Sequence, residues 1–170
     1  MFWRFDGSVR PEFAEKTEGS QESVWDYPRP PVLETVSKHI LVKTKNSTIV
    51  AETTNSIRIL ETASPPTYYL PENALKVELV ELKESSFCEW KGTAGYLSLT
   101  GSNLYPIGWF YRTPTASFSS IKNYVGFYPG RIECWLEGEL VKPQPGFFYG
   151  GWVTDNLAGP FKGEPDTGWW

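Results

Sequence analysis

Proline and glycine interrupt this chain so often that long helices have nowhere to form. Together they make up 29 of its 170 residues, about 17% against a usual sum of roughly 12%. Proline also removes the amide donor that a helix interior needs. No window of a dozen residues repeats its apolar positions at helical spacing. What recurs instead is alternation with a period of two. Ile40 and Val42 alternate with polar neighbours, Lys45-Asn46-Ser47 offers a turn, and residues 48–52 return as the second arm of a hairpin. Residues 57–61 read as a third strand. Residues 68–70 are a short extended piece closed by a turn at Pro71-Glu72-Asn73-Ala74. Residues 75–82 alternate as a half-buried strand. Further strands are expected over residues 93–99, 107–112, 124–128 and 132–136, the last turning at Glu137-Gly138 into residues 139–141. The expected fold is all-β: about eight short strands in compact, mainly antiparallel twisted sheets, either a rolled sheet or a sandwich.

The polar stretch around Glu12, Glu15, Lys16, Glu18 and Glu22 has little to bury, so residues 1–24 are expected to form a mobile or loosely docked arm. Trp25-Asp26-Tyr27-Pro28-Arg29-Pro30-Pro31 favours an extended path into the β-domain of residues 25–141. From Lys142 the alternation stops. Residues 142–170 place large aromatics among Gly and Pro, as in Gly146-Phe147-Phe148-Tyr149-Gly150-Gly151-Trp152. Such a segment is expected to wrap over the β-domain with its rings as anchors, each worth roughly 1.5–3 kcal/mol when buried.

Counting excludes several function classes. Cys88, Cys134 and His39 are the whole complement of Cys and His, which is too few for a structural zinc site. Neither metal nor cofactor is therefore expected. His39 would have to serve any Ser-His or Cys-His pair, yet it sits between Lys38 and Lys43 in a strand-like segment that faces outward. No phosphate-cradling glycine motif is present. A net charge of −4 opposes a general nucleic-acid role. No apolar run approaches the ~20 residues of a membrane span, and no export signal opens the chain, so a cytoplasmic location with free thiols is expected.

The densest group of chemistry-bearing residues is Ser64-Pro65-Pro66-Thr67-Tyr68-Tyr69-Leu70 together with Phe87-Cys88-Glu89-Trp90-Lys91-Gly92. Here a thiol, a carboxylate and an ammonium lie beside a glycine that permits a sharp turn. Lys91 with Tyr68, Tyr69 and Tyr96 would make an anion-binding pocket with aromatic walls. Read without function, Cys88 is a small core residue and Glu89 and Lys91 form a solvated turn.

The motif order Ile59-Leu60-Glu61-Thr62, Pro65-Pro66-Thr67-Tyr68-Tyr69-Leu70-Pro71, Cys88-Glu89-Trp90-Lys91-Gly92, Tyr96, Trp109-Phe110-Tyr111 and Val125-Gly126-Phe127-Tyr128-Pro129 resembles domain of unknown function 427 over roughly residues 34–141. Both flanking segments look like the extensions of cyanobacterial-type members. The resemblance implies a β-tent-like fold. Relatives of that architecture bind zinc through paired cysteines, which are absent here. The family has also been labelled nucleotidyltransferase-like, but this chain has neither paired catalytic aspartates nor a phosphate loop. The family pattern falls on Arg58, Glu61, Tyr69, Cys88, Lys91, Gly92 and Tyr96, which are the candidate ligand-binding residues.

Three functions follow as expectations. The first is a small anionic-ligand-binding or interaction module, with Lys91 and Arg58 meeting the anion, Tyr69 and Tyr96 as walls, and Glu61 orienting the ligand or pairing with Lys91. The second is an enzyme acting on a small metabolite, with Glu61 as general acid/base, Lys91 as electrostatic stabiliser and Cys88 as nucleophile. The third is a scaffold that docks a protein partner through Trp169 and Trp170.

Overall fold

The computed structural model describes residues 3–101 and 104–170; Met1 and Phe2 of the expected N-terminal arm lie outside the described residues. Two antiparallel sheets dominate. The larger has seven strands in the order Val32–Val36, Ser56–Leu60, Thr67–Leu70, Val125–Phe127, Gly108–Phe110, Gly92–Leu99 and Leu79–Cys88. The smaller has four, in the order Glu139–Leu140, Glu133–Leu136, Ile40–Lys43 and Ile49–Thr53. The protein is thus all-β with mainly antiparallel sheets. Its helical content is limited to short 3-10 turns, the longest at Ala116–Ile121. No described helix is long and apolar enough to cross a membrane.

Alternation on the seven-stranded sheet separates two apolar layers. One face turns Tyr68, Leu70, Val125 and Phe127 toward Ile40, Val42, Val50 and Cys134 of the smaller sheet. The other face carries Ile57, Ile59, Tyr69, Ala94, Trp109 and Tyr111. Adjacent Tyr68 and Tyr69 therefore point in opposite directions, as successive residues of a strand must.

The expected strands at 75–82 and 107–112 shift. Leu75 makes only an isolated bridge to Ala51, and the strand proper runs over Leu79–Cys88. This strand lies at a sheet edge, with Glu81, Lys83 and Glu84 exposed. An edge strand needs no continuous apolar face, and its charges oppose pairing with another chain. Val32–Val36 occupies the opposite edge.

The N-terminal region packs with the end of the C-terminal one around Trp25. Phe5 and Phe13 meet the Trp25 ring edge-on at 5.2 and 5.1 Å, and Trp170 stacks on Phe13 at 5.4 Å. Arg10 pairs with Asp26 at 2.6 Å. Glu22–Ser23 runs parallel to Leu157–Ala158, tying the N-terminal region to the C-terminal one.

Candidate functional site

Register across five strands builds the floor of a cavity. Ile57, Tyr69, Gly126, Trp109 and Tyr96 are successive cross-strand partners, so all five share one face. Gly126 is the low point of this row. A Cβ there would lie 2.6 Å from Trp109 Cζ2, so the indole lies over the glycine backbone. From that position Trp109 Nε1 donates to the Tyr69 hydroxyl at 3.2 Å, and its ring packs 4.6 Å from Tyr128. Pairs of this kind add roughly 0.5–1.5 kcal/mol each beyond area burial.

The cavity above this floor encloses about 230 Å³. Glu61, Tyr69, Cys88, Lys91 and Tyr96 all line it. Gly92 closes the Glu89-Trp90-Lys91 turn at φ +99, a backbone conformation that favours glycine, and its partner in register is Cys88. Thr115 fixes the turn from below: its amide donates to Lys91 O at 3.1 Å and its hydroxyl to Trp90 O at 2.6 Å.

Arg58 and Tyr68 are elsewhere. They are partners in register on the opposite side of their strands from Ile57, Ile59 and Tyr69. The Arg58 guanidinium is bound by Glu22 at 3.1 and 3.2 Å and by Glu34 at 2.9 Å, leaving it no path to the cavity. His39 is also remote, with Nε2 3.2 Å from Glu52 Oε1.

Lys91 is the centre of the site's electrostatics. Its Nζ lies 6.0 Å from the Tyr69 ring centre and 5.7 Å from that of Tyr111. Burial acts most strongly and pulls the ammonium down, but Tyr69, Cys88 and Glu61 outweigh it and set Lys91 above its ordinary value. It therefore stays charged throughout the neutral range. Of these three groups only Glu61 is a carboxylate, and it is engaged elsewhere. Glu61 Oε1 accepts from Arg29 Nε at 3.4 Å and from Trp90 Nε1 at 3.2 Å. Among the described residues no carboxylate lies within 4.0 Å of Lys91 Nζ. Burial, with help from Tyr69 and Cys88, also raises the Tyr111 hydroxyl, which stays a neutral donor on the cavity wall.

Sequence reasoning did not anticipate several parts of the site. Trp109, Tyr111 and Tyr128 complete the aromatic wall; the spacing of 109 and 111 places them on one strand face, a signal that was present. Arg29 had no such signal. It is buried, and besides Glu61 it donates to Phe5 O, Thr62 O and Trp170 O at 3.2, 3.0 and 2.9 Å. Further wall comes from Gln144 and Phe148-Tyr149-Gly150. Gln144 holds this loop, accepting from Gly151 N at 3.1 Å and donating to Lys162 O at 2.7 Å. Gly150 abuts the indole so closely that a Cβ would lie 2.3 Å from Trp109 Cη2. No group of three Cys, His, Asp or Glu side chains among the described residues is placed to hold a metal ion.

Fold and cavity together define a small all-β domain built around one aromatic-walled, lysine-centred cavity. The chain belongs to the family described as Domain of unknown function (DUF427), whose model matches residues 32–138, more than half of its length. No curated protein matches it.

Proposed function

We propose that this protein binds a small molecule bearing a single anionic group, with that group against Lys91. The observation that carries the reading is the half-buried Lys91 ammonium, which lines the cavity with no carboxylate in ion-pair range among the described residues. A cation removed from water costs several kcal/mol unless a counter-charge or dense hydrogen bonding compensates it, and an anionic ligand supplies that counter-charge. Tyr111 adds a neutral donor nearby, while Tyr69, Trp109 and Tyr96 offer ring faces and edges to the ligand body. The volume lies below the ~300–1,000 Å³ of ordinary ligand pockets, which favours a compact group inside.

The test is thermal unfolding against a panel of carboxylates and phosphorylated metabolites, with Lys91→Met beside the wild type. A ligand at one hundred times its dissociation constant adds about 2.7 kcal/mol, or roughly 5–11 °C at this chain length. The shift should vanish in Lys91→Met. A shift retained in the variant would refute the assignment.

A second reading, an enzyme acting on a small metabolite, draws on Glu61, Lys91 and Cys88 lining the same cavity. In that reading Glu61 acts as acid or base through Oε2, since Oε1 is taken by Arg29 and Trp90. Turnover of a bound ligand that is lost in Glu61→Gln, with binding retained, would favour it. A protein partner docking at the C-terminal end would meet Trp169, which is 52% exposed, whereas Trp170 is packed against Phe13 and Trp25.

A further inference from the structure

We infer that the ligand is an amphiphile: its anionic head occupies the cavity at Lys91 and its apolar body leaves through the mouth along Phe148. This rests on the reading of Lys91 as an anion site. Phe148 both lines the cavity and is 73% exposed, so its ring stands where the cavity opens to solvent. It touches Tyr149 edge-on, with ring centres 5.2 Å apart, and Tyr149 is itself a cavity wall. Tyr149 and Phe148 thus carry ring surface from the interior to the outside.

The loop's backbone is also held in place. Arg131 donates to Phe147 O at 3.0 Å, Gln144 grips both Gly151 and Lys162, and Gly150 rests on Trp109. A backbone fixed at these points presents Phe148 at the mouth of the cavity. Apolar surface left uncovered beside a site gains stability from whatever covers it. The interior agrees with this. Ile59, Pro65, Ala94 and Trp109 supply hydrocarbon and ring surface, and Lys91 is the one lysine or arginine among the lining residues. The chemical class is therefore a monoanion on a long or broad apolar body, with only its head enclosed by about 230 Å³.

The experiment is calorimetric titration of the full chain with straight-chain alkanoates from butanoate to decanoate, and with the matching alcohols. Wild type, Lys91→Met and Phe148→Ser are compared. In the wild type, affinity should rise about two- to fourfold per added methylene beyond the length that fills the cavity, since a fully buried methylene is worth about fourfold. Phe148→Ser should lose most of the affinity increment per added methylene that the wild type shows for the long acids. Binding that does not strengthen with length, or increments unchanged in Phe148→Ser, overturns the amphiphile inference and leaves the anion site standing. Alcohols that bind as tightly as the acids, acids that bind equally to Lys91→Met, or no binding by any acid overturn the anion site, and the inference with it.

Discussion

Gly126→Ala tests the floor of the cavity directly. The added methyl carbon would lie 2.6 and 2.7 Å from Cζ2 and Cε2 of Trp109, where carbon contacts normally settle near 3.5–4.0 Å. The indole must therefore move by about 1 Å, and its surroundings resist. Gly150 blocks one edge, Tyr128 lies 4.6 Å from its centre, and Nε1 is tied to Tyr69. Overpacking of this kind costs roughly 1–3 kcal/mol. Separating the buried indole N–H from the Tyr69 hydroxyl adds roughly 1–3 kcal/mol. The expected loss is about 3–4 kcal/mol, which lowers the melting temperature by roughly 6–16 °C at this length. Thermal unfolding followed by near-ultraviolet circular dichroism measures it, with Gly168→Ala as control because a Cβ there meets nothing within 4 Å. The control should stay within about 0.5 kcal/mol of the wild type. A Gly126→Ala protein melting within about 2 °C of the wild type would show that Trp109 has room to move, and the reasoning would fail.

The two thiols should separate by environment: Cys88 lines the cavity, whereas Cys134 is fully buried and burial alone pushes its thiol up. One equivalent of a thiol reagent should react with the native protein and the second only on unfolding; two fast equivalents, or none, would contradict the placement. Alkaline pH should unfold the protein steeply. Burial raises Tyr27, Tyr68, Tyr111 and Tyr128 above their ordinary 10.0, so the folded state keeps protons that the unfolded chain releases. This contribution is intact below pH 10.0 and is lost above it, at up to about 1.4 kcal/mol per pH unit for each tyrosine. Lys91, also raised, adds in the same direction, while Lys162, lowered first by burial, opposes with one proton. Tyrosinate absorbance should therefore appear together with loss of structure; a large tyrosinate signal in a still-folded protein would refute the buried environments.

Strand positions were readable where one face is buried and the other wet. Ile40 and Val42 alternate with partly exposed Leu41 and Lys43, and that hairpin stands where the pattern put it. Alternation misplaced the Leu79–Cys88 strand because its second half, Lys83-Glu84-Ser85-Ser86, is polar on an edge with little to bury. The site was partly legible for the same geometric reason. Residues 57 and 59 share a face with Tyr69, and residue 58 cannot, so period two alone places Arg58 away from the cavity. Motif order grouped Arg58 with the others because neighbours along a chain look alike whichever side of the sheet they face. Arg29 and Phe148 were unreadable because their roles depend on contacts between segments far apart in sequence, with no local period to announce them.

The segments outside the family-matched span help to set the chemistry of the cavity. Glu61 lies within that span, but Arg29, which holds it, does not. Arg29 in turn is fixed by backbone oxygens of Phe5 and Trp170, so the orientation of the carboxylate depends on both terminal regions being docked. The loop carrying Phe148 and Tyr149 also lies beyond residue 138, and it closes one side of a cavity whose floor is otherwise an open sheet face. An open sheet face would leave Lys91 in contact with water, where an ammonium needs no partner and discriminates weakly among anions. Enclosure by residues 144–150 lowers the effective dielectric around Lys91. In the proposed reading that step gives Lys91 its preference for negative charge, and it is contributed by the aromatic wrap rather than by the matched domain.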